Sequence, residues 1–414
     1  MKLITLSEKE FNDFSKNHEL TSFYQTSMYG NSCKNDFSTH YIGIVDDNKL
    51  IGASLILYKK IFMNFKYAYA PRGILIDYTN KALLKDFTIK FKHLLLKQGF
   101  IFIKIDPLII INKRDNKGNV ILSNRNNKNI MNNFINAGYI YRGNTKYFEN
   151  LKSRFETYIN LNNSELSFLG FKKNHKNRIR RALKYGVEVH EDKDKNINKS
   201  YDIIKRKYRK NKDFYDNLIN NFKDNIKIYN IYINPETSVI NSKYLYEKEL
   251  EKNEQINSLV SKHKGKNVNK LISKKMDSDI LLNNYKKILV SSTKLLESNP
   301  KGFLIGTSII ILYNNKVYLL IESFDKKYSN FYPTYLLKWR IIEEYTKLNY
   351  KEFNLNAITG DFTKENKYSG LNEMKLGFNG EINEYIGEFD YIINRPIYYL
   401  FITVERIFKI FKKN

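Results

Sequence analysis

The chain has 414 residues, 42% hydrophobic and 27% charged, which allows two or three domains with a sizeable core and excludes wholesale disorder. Seventy Lys and Arg against 43 Asp and Glu give a formal net charge of +27, which points to a polyanionic partner: nucleic acid, anionic lipid or a phosphorylated substrate. The single cysteine, Cys33, excludes a disulfide framework and a cysteine-rich metal site, and it suits a reducing, cytosolic compartment.

Residues 1–20 carry acids and no unbroken apolar core, so they do not read as a signal peptide. No run reaches the roughly 18 apolar residues that a spanning helix needs. Alternating apolar residues predict strands at 41–45 and 51–58 around the turn Asp46-Asp47-Asn48. Residues 81–98 have the period of an amphipathic helix, and 100–105 form an apolar strand that ends at Asp106-Pro107. Residues 112–129 are polar and read as a loop before a short helix that stops at Gly138. This order of elements suits a mixed sheet with helices on its faces, a first α/β domain over 1–147.

A second α/β pattern begins near Phe148. Between 172 and 184 stand Lys172, Lys173, Lys176, Arg178, Arg180, Arg181 and Lys184 with no acid among them. Ile179 and Leu183, four apart, mark one apolar stripe on a helix that is otherwise cationic, and Gly186 ends it before a strand at 187–189. Such a helix offers phosphates both side chains and an N-terminus; the plainer reading is a solvated face. Helices follow near 203–211 and 214–222, then strands at 307–313 and 316–322, a helix at 332–348 and a strand at 353–355.

Residues 241–300 interrupt this pattern. Leu282, Tyr285, Leu289 and Leu296 have the spacing of a coiled-coil seam, so the segment reads as two antiparallel helices turning at 263–266. Twelve lysines against seven acids between 243 and 297 suit contact with an RNA backbone, although such arms also pair between subunits. From 398 to 413, Leu400, Phe401, Val404, Ile407, Phe408 and Phe411 alternate with Arg406, Lys409, Lys412 and Lys413. That pattern fits an interfacial helix on the membrane or a terminal helix packed on the first domain.

Several segments, taken in order, resemble the FemABX family, aminoacyltransferases that build interpeptide bridges in bacterial peptidoglycan. They are Phe23-Tyr24-Gln25, Ala70-Pro71-Arg72-Gly73 with Asp77-Tyr78, Ile105-Asp106-Pro107 and the basic helix. Near the C-terminus, Tyr368-Ser369-Gly370-Leu371, Lys375-Leu376-Gly377-Phe378 and residues 384–389 continue the match. The resemblance covers essentially the whole chain. It implies tandem GNAT-like acyltransferase domains, the first at 1–147 and the second at 148–240 and 301–393. A helical hairpin arm at 241–300 is inserted in the second, and an amphipathic helix at 394–414 follows. It also implies aminoacyl-tRNA as donor and, as acceptor, lipid II or UDP-MurNAc-pentapeptide, in the cytoplasm or at the inner face of the membrane.

The implied reaction is aminolysis of an activated ester. A lysine-like amine is almost wholly protonated at neutral pH, so a proton acceptor and close positioning help, as does a donor at the developing oxyanion. The resemblance matches Asp106 to the acceptor, unless it only caps the Asp-Pro turn, and Lys375 to the oxyanion or a substrate phosphate. It places Lys34, Lys210, Tyr215 and Tyr332 at the substrate; Arg72 serves the same pocket unless it only shapes its Arg-Gly turn, and the basic helix contributes Arg178, Arg180, Arg181 and Lys184 for tRNA or phosphate. The six histidines form no ligand-spaced pairs, so no metal is expected. GxxxxGK[ST], GxGxxG and the glycine-rich pyrophosphate loop of coenzyme A-dependent enzymes are all missing, so no cofactor is expected either. Two other readings stay open: a transferase that tags protein N-termini from aminoacyl-tRNA, and a non-catalytic basic RNA-binding protein.

Overall fold

A computed structural model describes residues 1–61, 64–162, 168–262 and 268–411. In the first part of the chain the strands are β1 (Lys2–Thr5), β2 (Ser38–Asp46), β3 (Lys49–Lys60), β4 (Lys66–Ala70), β5 (Phe100–Ile105), β6 (Ile110–Arg114), β7 (Val120–Ser123) and β8 (Ile140–Tyr141). The second part adds β9 (Phe155–Asn160), β10 (Val187–Glu191), β11 (Ile226–Ile233), β12 (Phe303–Tyr313), β13 (Lys316–Phe324), β14 (Glu352–Ile358), β15 (Glu381–Tyr385) and β16 (Phe389–Ile392). They build a seven-stranded sheet ordered β1-β2-β3-β4-β5-β16-β8 and a nine-stranded sheet ordered β10-β11-β12-β13-β14-β9-β15-β6-β7.

Local chemistry sets these elements. Asp47 and Asn48 both take positive φ, 45° and 61°, which matches the right-handed twist of the β2–β3 hairpin they close. Asn80 caps the helix Lys81–Lys97 by accepting from the Leu83 amide at 2.9 Å. Leu84, Phe87, Phe91 and Leu95 then face the first sheet and fill its core. The 3-10 turn Phe23–Gln25 plugs the two domains together: Phe23 packs edge-on to Phe222 and Tyr318 of the second.

Two strand exchanges cross the boundaries suggested at 147 and 393. β6 and β7 leave the first half and join the second sheet, Arg114 opposite Ile382. β16 returns to the first sheet, Phe389 lying opposite both Ile105 and Tyr141. Residues 112–129 are therefore not a loop but most of a hairpin and the start of the helix Arg125–Asn136. Their polarity reflects an edge hairpin whose Arg114 pairs with Glu384 of β15 at 2.6 Å, while β7 is exposed throughout.

In the second domain the basic helix is Lys173–Lys184, and Gly186, at φ +70°, ends it where a Cβ would stand 2.6 Å from the Asn234 carbonyl oxygen. Its buried face is His175, Ile179 and Ala182; Leu183, expected on the apolar stripe, is exposed. β13 and β14 run parallel and pair only at 316–318 with 352–354, beyond which the strands diverge. Asn356, at φ +66°, spans the gap with its Nδ2 donating to the Leu319 carbonyl at 3.2 Å.

The arm runs wider than 241–300, as helices Pro235–Lys262 and Val268–Ser298. The expected turn at 263–266 lies outside the described residues. Leu282, Tyr285, Leu289 and Leu296 are only partly buried, and Ser278, Ile288, Ser292 and Leu295 form the buried seam instead. Hydrogen bonds pin its register: Ser278 donates to Glu249 at 2.6 Å, and Ser238 and Ser292 share one at 2.6 Å. The terminal helix, Arg395–Phe411, packs on the first domain, with Phe401 stacked on Tyr67 and Tyr398 edge-on to Phe102. The side chains of Val404, Arg406, Ile407, Phe408, Lys409 and Phe411 are not among those described, and Lys412 and Lys413 lie outside the described residues. Among the described residues no helix is long and apolar enough to cross a membrane.

Candidate active site

β4 and β5 run parallel with Ala70 opposite Ile105, so the residues just past their ends face each other. Arg72 takes a left-handed φ of +53° there, and its amide donates to Asp106 Oδ1 at 2.7 Å. The Tyr69 hydroxyl donates to Oδ2 at 2.9 Å, and the Arg72 guanidinium stands 3.8 Å from the same oxygen. Gln25 braces the turn, donating to the Pro71 carbonyl at 2.8 Å and accepting from the Leu55 amide at 2.9 Å. Three separated motifs thus meet at one buried point.

Asp106 is consequently enclosed rather than facing a crevice. Burial pushes its carboxyl up to about 6 against the pull of Arg72. Arg72 is equally committed: it donates to Glu156 Oε1 at 2.5 Å and to the Ser153 carbonyl at 2.9 Å, and lies over the Tyr385 ring at 4.8 Å. Glu156 is the carboxylate that borders open space. Its Oε2 accepts from Tyr158 at 3.1 Å and from Asn354 Nδ2 at 2.9 Å. A cavity of about 150 Å³ between the two sheets is lined by Tyr24, Arg72, Glu156, Tyr158, Tyr318 and Tyr385, among others.

Lys375, on the helix Ser369–Leu376, is 7% exposed and donates to the Ala357 carbonyl on β14 at 2.7 Å. Burial depresses its amino group to about 7, opposed chiefly by Glu322. Glu322 is ion-paired with the fully buried Lys338, while Lys207 donates to the Glu322 backbone carbonyl at 2.9 Å. Lys338, Lys207 and Lys375 thus gather where β13 and β14 diverge, with only Lys338 in contact with the Glu322 carboxylate.

The basic helix adjoins this cluster. Arg178 donates to the Tyr335 hydroxyl and lies over the rings of Tyr335 at 4.9 Å and Tyr332 at 5.8 Å. His175 bonds the Met374 carbonyl at 2.9 Å, and a Cβ on Gly377 would stand 1.9 Å from its ring. Gly377→Ala should therefore shift the Lys375 helix and lower stability by about 1–3 kcal/mol or more; a melting point equal to wild type would contradict this packing. Arg180 lies over Phe168 at 5.1 Å, and Arg180 and Lys184 are exposed.

The remaining expected residues lie apart from Lys375. Lys34 and Lys210 are exposed at one corner, where Lys210 pairs with Asp36. Tyr215 is wholly buried in the core, and that burial pushes its hydroxyl up to about 12, so it is closed to substrate. Its place is set by the inward face of the helix Lys212–Phe222, shared with Leu218 and Phe222. Burial pushes the Cys33 thiol up to about 11, outside the range of a nucleophile. Among the described residues no cluster of His, Cys, Asp and Glu could hold a metal.

Sequence reasoning missed Glu156, Tyr158, Asn354, Glu322 and Lys338. Lys338 did leave a signal, a cation directly after the apolar Tyr335-Leu336-Leu337 on a helix whose other cation in 335–342 is Arg340.

A sequence model described as the FemAB family matches residues 6–406. The aminoacyltransferase FemA of Staphylococcus epidermidis is 25% identical over 434 residues, covering 99% of this chain and 100% of its own. FemA of Staphylococcus aureus is 24% identical over 422 residues, covering 98% and 99%. A crystal structure of FemX shares the fold with a TM-score of 0.70 at 17% identity, over 97% of this chain and 99% of that one. Two mixed α/β sheets in the fold shared with FemX, and a family match over residues 6–406, leave one assignment: the chain belongs to the FemAB family and is an acyltransferase.

Proposed function

We propose that this protein transfers an aminoacyl group from aminoacyl-tRNA to a primary amine of a peptidoglycan precursor, lipid II or UDP-MurNAc-pentapeptide, and so builds an interpeptide bridge. The observation that carries the proposal is Lys375, a buried amine of depressed basicity that donates to the Ala357 carbonyl of β14, past the point where β13 and β14 cease to pair. The amine nitrogen bonds the ester carbonyl carbon, the carbonyl–oxygen bond to the tRNA breaks, and the tRNA hydroxyl leaves with a proton. Protonated Lys375 offsets the charge on the carbonyl oxygen as it develops. The donor is already activated, so the step takes no cofactor.

Arg178, Arg180, Arg181 and Lys184 supply cations for the tRNA backbone, and Lys34 and Lys210 for the precursor's phosphates. Asp106 holds Arg72 in place rather than receiving the proton. The reaction takes place in the cytoplasm, where the precursor is made, with peripheral contact at the inner membrane face when the acceptor is lipid-linked.

The test incubates the protein with total aminoacyl-tRNA and each precursor and reads the product mass. A gain of one aminoacyl unit is expected. RNA binding indifferent to aminoacylation, with no product, would mean a non-catalytic RNA-binding protein. Replacing residues 242–299 by a short Gly-Ser linker should weaken tRNA binding about tenfold or more at low salt while precursor binding persists. Full tRNA affinity with a changed oligomeric mass would make the arm a subunit clasp.

A further inference from the structure

Lys338 is the most deeply buried cation among the described residues. Its ammonium is ion-paired with Glu322, itself buried, and reaches the Thr334 carbonyl at 3.5 Å. Taking two charges out of water is expensive, and an apolar pair of similar size would hold the helix Pro333–Lys347 as well or better. Stability alone therefore does not account for the pair. Asn356 of β14 bonds the Leu319 carbonyl of β13, and Glu322 stands three residues further along β13. Ala357, next to Asn356, accepts from the Lys375 ammonium at 2.7 Å. Two buried lysines thus stand at the mouth of one strand divergence with one carboxylate between β13 and its covering helix, and Lys338 holds it. Lys375 is left with a backbone carbonyl, a neutral acceptor that does not compensate its charge. The other charges that act on Lys375 are Lys207, exposed and bonded to the Glu322 backbone, and Glu156 of β9, committed to Arg72.

We propose that Lys338 is a positioning residue: by occupying Glu322 it keeps Lys375 out of an ion pair, so that the Lys375 ammonium stays free for the reacting carbonyl. The inference rests on the reading of Lys375 as the cation at the developing oxyanion, and it names the group that keeps that cation available. An ammonium locked to a carboxylate would meet the oxyanion already neutralised, and the carboxylate itself would oppose the charge that develops. The same arrangement sets where Lys375 gives up its proton, because a paired ammonium keeps its proton to higher pH.

NMR titration of the full chain, with its lysines carbon-labelled at Cε, tests this, and Lys375→Met identifies the Lys375 signal. In the unmutated chain that signal should titrate at about 7. Lys338→Met frees Glu322 for Lys375 and should move the titration up by about 1–2 pH units, whereas Glu322→Gln removes the carboxylate and should move it down by about 1. Transfer by Lys338→Met should also fall about tenfold at pH 7 although more of Lys375 is charged, a combination that loosened packing does not give. If Lys338→Met does not fold, Lys338→Gln, which keeps a hydrogen-bond donor for the carboxylate, should give the same upward move. A Lys375 titration unmoved in the folded variants, or moved the same way by the Lys338 and Glu322 changes, would overturn the proposal, as would full transfer by a folded Lys338 variant. No tRNA or precursor enters the titration. Opposite shifts without aminoacyl transfer in the unmutated chain therefore sink the functional reading alone, and transfer with an unmoved titration sinks this inference alone.

Discussion

Arg72→Met is expected to lose about 3–5 kcal/mol of folding stability at neutral pH, because it strands Asp106 and Glu156 in the interior without their shared cation. The loss should depend on pH in a stated direction. Asp106 titrates at about 6 in the folded chain and at an ordinary 3.8 when unfolded. Between those values the folded state binds a proton that the unfolded state lacks, so this group adds stability as pH falls through that window. Removing Arg72 takes away the charge that holds the carboxyl down, so the proton is taken up at still higher pH. The variant's deficit should therefore shrink between pH 7 and pH 5 in urea titrations. A deficit of the same size at both would mean that the arginine acts through packing rather than charge.

Lys375→Met should reduce transfer about 10²–10³-fold, the scale for losing one donor at a developing oxyanion, with folding stability equal to wild type or higher. Stability should not fall because the wild-type amine is buried at a cost, as its depression to about 7 shows. Above that value the folded chain has released a proton that the unfolded chain keeps to about 10.5, so this group favours folding more as pH rises from 7 to 10.5. The methionine variant should lack that rise. Wild-type transfer should also fall above pH 7 as Lys375 loses its charge, and residual transfer in the variant should lack that limb. Full turnover in Lys375→Met would leave Lys375 a structural residue that tethers its helix to the Ala357 carbonyl.

Much of the fold was legible where a local pattern decides it. Asp47-Asn48 announces its hairpin because few residues accept two successive positive φ values, and the helix over 81–98 carries an apolar period set by one facing sheet. The seam of the arm was misplaced because serine hydroxyls, which bond back into the helix or across it, can be buried where leucine was expected. The candidate site was half legible. Asp106 and Lys375 stand in recognisable segments, but nothing local reveals that the Arg72 guanidinium turns to a glutamate 84 positions later. Glu156 follows Phe155 and precedes Thr157 in an ordinary alternating strand, and only the long-range pairing of β9 with β14 and β15 makes its outward face the wall of a cavity. Tyr215 shows the converse: a position that the family resemblance put at the substrate lies in this chain on the inward face of its helix.

The exchange of strands between the sheets bears on how the chain is made. β5 has β4 on one side, but on the other it waits for β16, which leaves the ribosome nearly 300 residues later. Until then Phe389 is missing from the core of the first domain, and β5 presents an open edge to neighbouring nascent chains. Folding that proceeds from the N-terminus as synthesis advances therefore cannot complete the first domain before the second is almost fully translated. A ribosome-bound fragment ending at 147 should accordingly be a client for chaperones rather than a finished domain, and the late arrival of four residues, Phe389–Ile392, would be the event that releases it.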